Sequence, residues 1–186
     1  MATTLCKTNQ SQLLLIDIQE RLAGAMPKQY LEMVLSSGKT LITAATQLNI
    51  PIVHTEQYPK GLGPTHSELV SVFPDNITAL EKTCFSSCGA NGMEAQVTDS
   101  QRDQWIILGM ETHICVLQTC MELLEKNRTV VIVEDGVCSR KKNNFKNAIA
   151  RMRAAGAIIS NTESVLFEWL RDASHPDFKS LSKLIR

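Results

Sequence analysis

Short apolar runs alternate with longer amphipathic stretches along the chain, the pattern produced when strands of a parallel sheet are joined by helices that pack on its faces. LLLI at 13–16, IVHT at 52–55, ITAL at 77–80, WIIL at 105–108, VVIV at 130–133 and AIIS at 157–160 are the predicted strands. Pro51 opens the second, where a missing donor is tolerated. Between the strands, apolar residues recur at helical spacing. After Pro27 they are Leu31, Val34, Leu35, Leu41, Ile42, Ala45 and Leu48; later come Val116, Leu117, Cys120, Leu123 and Leu124, ending near Asn127. A third stripe holds Phe145, Ala148, Ile149 and Met152, with Gly156 placed as a left-handed stop. The tail predicts a helix around 165–170 and another after Pro176. QYPKGLGPT at 57–65, with two glycines and two prolines, predicts an irregular segment and a pocket wall.

Strand and helix in alternation define one domain over residues 1–186: a three-layer α/β/α, Rossmann-like fold with a mostly parallel six-stranded sheet. In open sheets of this kind ligands bind beyond the carboxyl ends of the strands. Asp17 follows the first strand, Lys82 the third, and Cys115 comes just after the fourth, so three chemically competent groups fall on one edge.

Charge and composition narrow the classes of partner. Nineteen basic residues balance nineteen acidic ones, so no global field favours nucleic acid or an anionic membrane. The cluster Arg140, Lys141 and Lys142 is read as the solvated first turn of a helix. The opening MATTLCKTNQSQ has no basic region leading into an apolar one, and no apolar run approaches the roughly 20 residues that span a bilayer. Six cysteines without regular spacing point to free thiols in a reducing, cytoplasmic compartment. Cys84 and Cys88, four apart, make a poor zinc site on their own. A Walker loop, a G-x-G-x-x-G turn and a G-x-S-x-G elbow are all missing, so neither a nucleotide, flavin or nicotinamide cofactor nor a serine nucleophile is implied.

GMETHIC at 109–115 carries the strongest chemical signal. With Thr112 as cap, Cys115 falls in the first helical turn, where unpaired N–H groups and the positive end of the macrodipole favour a thiolate. Cys120 falls on the apolar stripe, and Cys6, Cys84, Cys88 and Cys138 lack the combination of strand end and helix start. Asp17 suits the role of proton acceptor, and Lys82 that of compensating charge. Taken singly, the three also read as a helix cap, an exposed lysine and a small buried hydrophobe.

Taken together they carry a resemblance. LLLIDIQ at 13–19, the lysine in ALEKTCFS at 79–86 and GMETHICVLQT at 109–119 resemble the catalytic segments of the isochorismatase-like cysteine hydrolase superfamily, in order and in spacing. TEQYPKGLGPT at 55–65 and the ending at 172–186 resemble its isochorismatase domain-containing subgroup. The resemblance implies Cys115 as nucleophile, Asp17 as general base and later acid, and Lys82 as their electrostatic partner. It also implies a cis Met110–Glu111 peptide and an oxyanion hole built from the backbone amides of Glu111 and Cys115. The reaction implied is cleavage of a C–N bond in a small-molecule amide or carbamoyl substrate, with no cofactor and in a homo-oligomer.

Gln57, Tyr58, Phe85 and His113 are expected to face the substrate, and Asp135 to serve structure. Nicotinamidases of the superfamily hold a metal through an Asp-x-His element after the second strand; HTEQYPKGLGPTH lacks it, leaving His54, His66 and Glu56 and an expectation of no metal. Leu166, Phe167 and Trp169 are either an interface or packing for the chain's own sheet. Three rivals stay open: a scaffold that retains the fold, a vinyl-ether hydrolase, and a redox sensor built on Cys115.

Overall fold

The computed structural model describes residues 5–75, 77–98 and 102–185. Residues 1–4 of the opening stretch and Arg186 of the ending lie outside them. Six strands, β1 (Ser11–Ile16), β2 (Ile52–Gln57), β3 (Leu80–Lys82), β4 (Gln104–Met110), β5 (Thr129–Cys138) and β6 (Ile158–Ser160), form one sheet in the order β3-β2-β1-β4-β5-β6. Every neighbouring pair is parallel, so the sheet is all parallel rather than mostly so.

The helices are α1 (Glu20–Ala23), α2 (Lys28–Gln47), α3 (Pro59–Leu62), α4 (Ser67–Val70), α5 (Met93–Thr98), α6 (Leu117–Glu125), α7 (Lys142–Ala155), α8 (Thr162–Leu170) and α9 (Phe178–Leu181). Alternate residues of β1 feed two cores. Leu13 and Leu15 join Val34 and Leu41 of α2 and Leu166 of α8 on one face. Leu14 and Ile16 join Met93 of α5, Leu123 of α6 and Met152 of α7 on the other. Fully burying each such side chain contributes about 2 kcal/mol, which is why a strand covered on both faces reads as an unbroken apolar run.

Four local expectations change. ITAL is not the third strand; it ends in it, because the short edge strand pairs Leu80, Glu81 and Lys82 with Thr55, Glu56 and Gln57. An edge strand is half solvated, so Glu81 is tolerated there. The 57–65 segment is not wholly irregular: β2 runs on through Gln57, and α3 follows with Pro59 in its first turn. Arg140 is not part of a solvated helical turn, since α7 starts at Lys142 and Arg140 is tied to Glu111. In the tail, Leu166 and Trp169 are buried and the Trp169 indole donates to Ser11 Oγ at 2.9 Å, leaving Phe167 as the exposed member of that trio. Asn127 (φ 58°) and Gly156 (φ 107°) stop α6 and α7 in the left-handed conformation. Asp135 lies within β5, where its carboxylate accepts from Thr162 N and its carbonyl from Ser37 Oγ.

Candidate active site

Strand order reverses between β1 and β4, so the crevice at their carboxyl ends is the switch point of the sheet. Asp17 follows β1 in a left-handed conformation (φ 52°) and is fully buried. Asp accepts that conformation more readily than most residues, and the bend turns its carboxylate along the sheet edge toward β2 and β3. Gly109, opposite Ile16 in the β1–β4 register, allows the strands to meet there: at its φ of 136° a Cβ would stand 2.1 Å from the Ile16 carbonyl oxygen.

Lys82 closes the site from β3. Its ammonium donates to Asp17 Oδ2 at 2.6 Å, to Gln57 Oε1 at 2.8 Å, and to the carbonyls of Phe85 and Cys84 at 3.0 and 3.3 Å. Both side chains of the pair are wholly inaccessible to solvent. On the other carboxylate oxygen, Thr55 Oγ1 donates to Asp17 Oδ1 at 2.7 Å. Gln57, expected against substrate, has its side chain occupied inside the protein, accepting from Lys82 and donating to Thr83 O at 2.8 Å.

The Met110–Glu111 peptide bond is cis. Glu111 is the extended residue before the helix (φ −86°, ψ 143°), and residues 112–116 form a wide turn closed from Val116 N–H to Glu111 C=O at 3.4 Å, five residues apart. Thr112 is therefore inside the helix, not its cap, and its hydroxyl is buried without a partner. Cys115 sits in this turn, where the leading amides have no acceptor within the helix.

Burial, with Asp17 raising and Lys82 opposing both as charges and as hydrogen-bond neighbours of the sulfur, pushes the Cys115 thiol up to about 12, a direction opposite to that of the helix terminus. Cys120 and Cys138 are likewise raised, chiefly by burial.

The remaining candidates lie around this centre. Tyr58, left-handed at φ 39° and about half exposed, lines an open cavity of about 400 Å³ with Lys60, Glu81, Lys82, Cys84 and Asn91. Phe85 is exposed beside it and contributes its carbonyl to Lys82. His113 faces the β5–α7 connection, where Nδ1 meets Ser139 Oγ at 3.0 Å and Nε2 meets Asn144 Nδ2 at 3.1 Å. A second cavity, about 360 Å³, lies beyond that connection between Tyr30, Met33, Val137 and Phe145. Neither cavity is lined by Asp17 or Cys115.

Of the residues weighed for a metal, His54 is buried against Phe73 with ring centroids 4.7 Å apart, and burial lowers its pKa. His66 caps α4 by accepting from Glu68 N, and Glu56 accepts from both the N–H and the hydroxyl of Thr65. Among the described residues no three His, Cys, Asp or Glu side chains gather to hold an ion, and no helix is long and apolar enough to cross a membrane.

Several supporting residues had faint signals or none. Thr55 ends a predicted strand on the same edge as Asp17, and Thr119 stands one helical turn after Cys115; that spacing was available but singled out neither residue. Nothing marked Ser87 or Arg140.

A three-layer α/β domain with a six-stranded parallel sheet and polar groups gathered at its switch point belongs to the Rossmann-like class of hydrolase folds. The model of the isochorismatase domain matches residues 11–164, and the chain belongs to the isochorismatase family. It is 38% identical over 176 residues to isochorismatase domain-containing protein 2A of Mus musculus, covering 95% of this chain and 82% of that protein. Among solved structures, MAR1 ribonuclease from Caenorhabditis elegans superposes with a TM-score of 0.91 at 35% identity, covering 98% of this chain and 92% of that one. YcaC from Escherichia coli, described as an octameric hydrolase of unknown specificity, gives 0.88 at 25% identity, covering 100% and 91%.

Proposed function

We propose that the protein is a cysteine hydrolase that cleaves the C–N bond of a small amide or carbamoyl compound through an acyl-cysteine intermediate. The observation that carries this reading is the buried Asp17–Lys82 pair, closed at 2.6 Å, bearing on the Cys115 thiol. A thiol held protonated has to lose its proton as it attacks. Asp17 accepts that proton while Cys115 Sγ bonds to the substrate carbonyl carbon, and the carbonyl oxygen takes the negative charge, facing the amides of Glu111 and Cys115. Asp17 then protonates the leaving nitrogen as the C–N bond breaks. Water, deprotonated by Asp17, opens the thioester and returns the proton to the sulfur. Lys82 stays charged throughout and keeps Asp17 ionised between transfers. Every step is carried by groups of the chain and by water.

Tyr58 and Phe85, exposed at the mouth, offer apolar faces to a substrate. The octameric state described for YcaC supports a homo-oligomer here, and six free thiols fit a reducing cytoplasm.

The test is a screen of small amides and carbamoyl compounds, with intact-mass detection of the acyl adduct. Turnover is expected to disappear in Cys115→Ala, and the adduct to map to Cys115. Full turnover in that variant refutes covalent catalysis. RNA is assayed alongside because of the description the nematode relative carries, and isochorismate for the vinyl-ether alternative. Cleavage of either in place of every amide replaces the proposal, and an unreactive Cys115 favours a scaffold.

A further inference from the structure

Three hydroxyl side chains lie behind the Asp17–Lys82–Cys115 group, and they connect it by a second route. Thr55 at the end of β2, Ser87 in the turn after β3 and Thr119 in α6 are 1%, 0% and 0% exposed. Burying a hydroxyl costs about 1–3 kcal/mol unless it is bonded. A valine would fill either threonine site with the same shape and no such cost.

Thr55 gives its proton to Asp17 Oδ1 at 2.7 Å, so in the longer 3.5 Å contact between Thr55 and Ser87 the Ser87 hydroxyl is the donor. Ser87 also donates its backbone N–H to Thr119 Oγ1 at 2.8 Å, and Thr119 in turn donates to the Cys115 carbonyl at 2.7 Å. Two arms thus leave Ser87, one ending on the carboxylate and the other on the backbone of the cysteine. The turn that holds Ser87 follows directly on the carbonyls of Cys84 and Phe85 that receive the Lys82 ammonium. All three members of the reacting group are therefore referred to one short turn.

We propose that Thr55, Ser87 and Thr119 are positioning residues, a buried hydroxyl scaffold that fixes the separation and alignment of Asp17 and Cys115. The inference rests on the cysteine hydrolase reading, since it assigns these residues to a proton transfer between those two groups. It differs from a purely structural role in what it predicts for the reactivity of one thiol.

The probe is iodoacetamide, used on the full chain, with the rate of Cys115 alkylation followed by peptide mass across pH 5–9 and melting temperature measured in parallel. Thr119→Val removes both bonds at constant shape, and its alkylation rate at pH 7 is expected to fall on the order of tenfold, the equivalent of one neutral hydrogen bond at the upper end of its range. Thr119→Ser, which keeps the hydroxyl but leaves a methyl-sized gap, is expected to melt earlier while retaining most of the rate. Thr55→Val, which removes the hydroxyl donor on Asp17 Oδ1 at constant shape, is expected to lower the Cys115 alkylation rate at pH 7 on the order of tenfold.

Rates that track melting temperature across Thr119→Val and Thr119→Ser, or valine variants with the wild-type profile, overturn the scaffold and leave the hydrolase reading standing. A wild-type Cys115 that iodoacetamide does not modify faster than Cys120 and Cys138, the buried thiols raised to the same extent, overturns both. Where a variant fails to fold, Ser87→Ala, which removes one hydroxyl and keeps the N–H to Thr119, gives the same comparison.

Discussion

Lys82→Met keeps the aliphatic stem and deletes only the ammonium, and its cost follows from what that ammonium holds. Four acceptors lose their donor: Asp17 Oδ2, Gln57 Oε1 and the carbonyls of Cys84 and Phe85. Asp17 is left as a carboxylate with no accessible surface, retaining the bond from Thr55 but no cation. Breaking a buried pair from one side typically costs about 3–5 kcal/mol, against 0–1 for an exposed pair. With total stabilities of about 5–15 kcal/mol, the variant folds but sits near the limit. Asp17→Asn/Lys82→Met removes both charges, and should recover at least about 2 kcal/mol relative to the sum of the single changes. Urea unfolding at pH 7, followed by far-UV circular dichroism for the wild type, the two single variants and the double, measures the cycle. A Lys82→Met cost below about 1 kcal/mol, or a double variant equal to the sum, would show that the pair is not the closed, dry contact described, and the proton-transfer argument would fall with it.

Other consequences are as direct. Burial holds the Cys115, Cys120 and Cys138 thiols at about 12 and Cys88 at about 11, while in the unfolded chain they ionise near 9. The stabilisation they give is therefore complete below pH 9 and lost as pH rises toward 11–12, by about 1.4 kcal/mol per pH unit for each thiol still protonated in the fold. Melting temperatures should fall steeply above pH 9, and in a Cys84→Ser variant, which removes the exposed thiol, most thiolate absorbance should appear only on unfolding; full absorbance from that folded variant at pH 10 would contradict this. Arg140→Met strips a largely exposed guanidinium from the 4% exposed Glu111, whose carboxylate keeps the Arg140 N–H at 2.9 Å, and should cost about 1 kcal/mol in urea unfolding, the solvent-screened end of the range. Gly109→Ala, with its Cβ 2.1 Å from Ile16 O, should yield no folded protein by circular dichroism; a native melting curve would place β1 and β4 further apart than described.

The fold was legible in the chain because the central strands β1, β4 and β5 are covered on both faces and read as apolar runs. The third was misplaced by three residues because it is a three-residue edge strand with one neighbour and one buried residue, so its register is set by pairing with β2 rather than by its own composition. Local signals also failed where a partner is remote in sequence. Arg140 looks solvated until Glu111, 29 residues earlier, is seen to need a cation. The wide turn at 112–116 has no compositional mark, and the Thr112 cap was inferred from residue type alone. The low-pKa thiol was argued from the helix terminus, which sequence shows, against burial, which it does not; burial was the larger effect.

The order of groups along the sheet edge explains why one lysine and two hydroxyls do work that adjacent residues could not. Neighbouring strands stand about 4.8 Å apart, so β3 is roughly 10 Å from β1 and needs a long side chain to reach a carboxylate there. Lys82 supplies the length, and Gln57 on the intervening strand steadies the arm midway. Asp17 and Thr55 belong to paired strands, with Asp17 N donating to Thr55 O at 3.2 Å, so a short hydroxyl suffices between them. Cys115 approaches from the opposite side, from the strand on which the winding reverses, and no sheet hydrogen bond refers it to β2 or β3. The β1–β4 pairing sets where the two strands end, and the wide turn after β4 then carries Cys115 beyond the ladder, so contacts made outside the sheet add to its placement against Asp17. Outside the sheet a hydrogen-bonded path runs from Cys115 through Thr119, Ser87 and Thr55 to Asp17, which is why a change in α6, four residues from the sulfur, should be felt at the carboxylate.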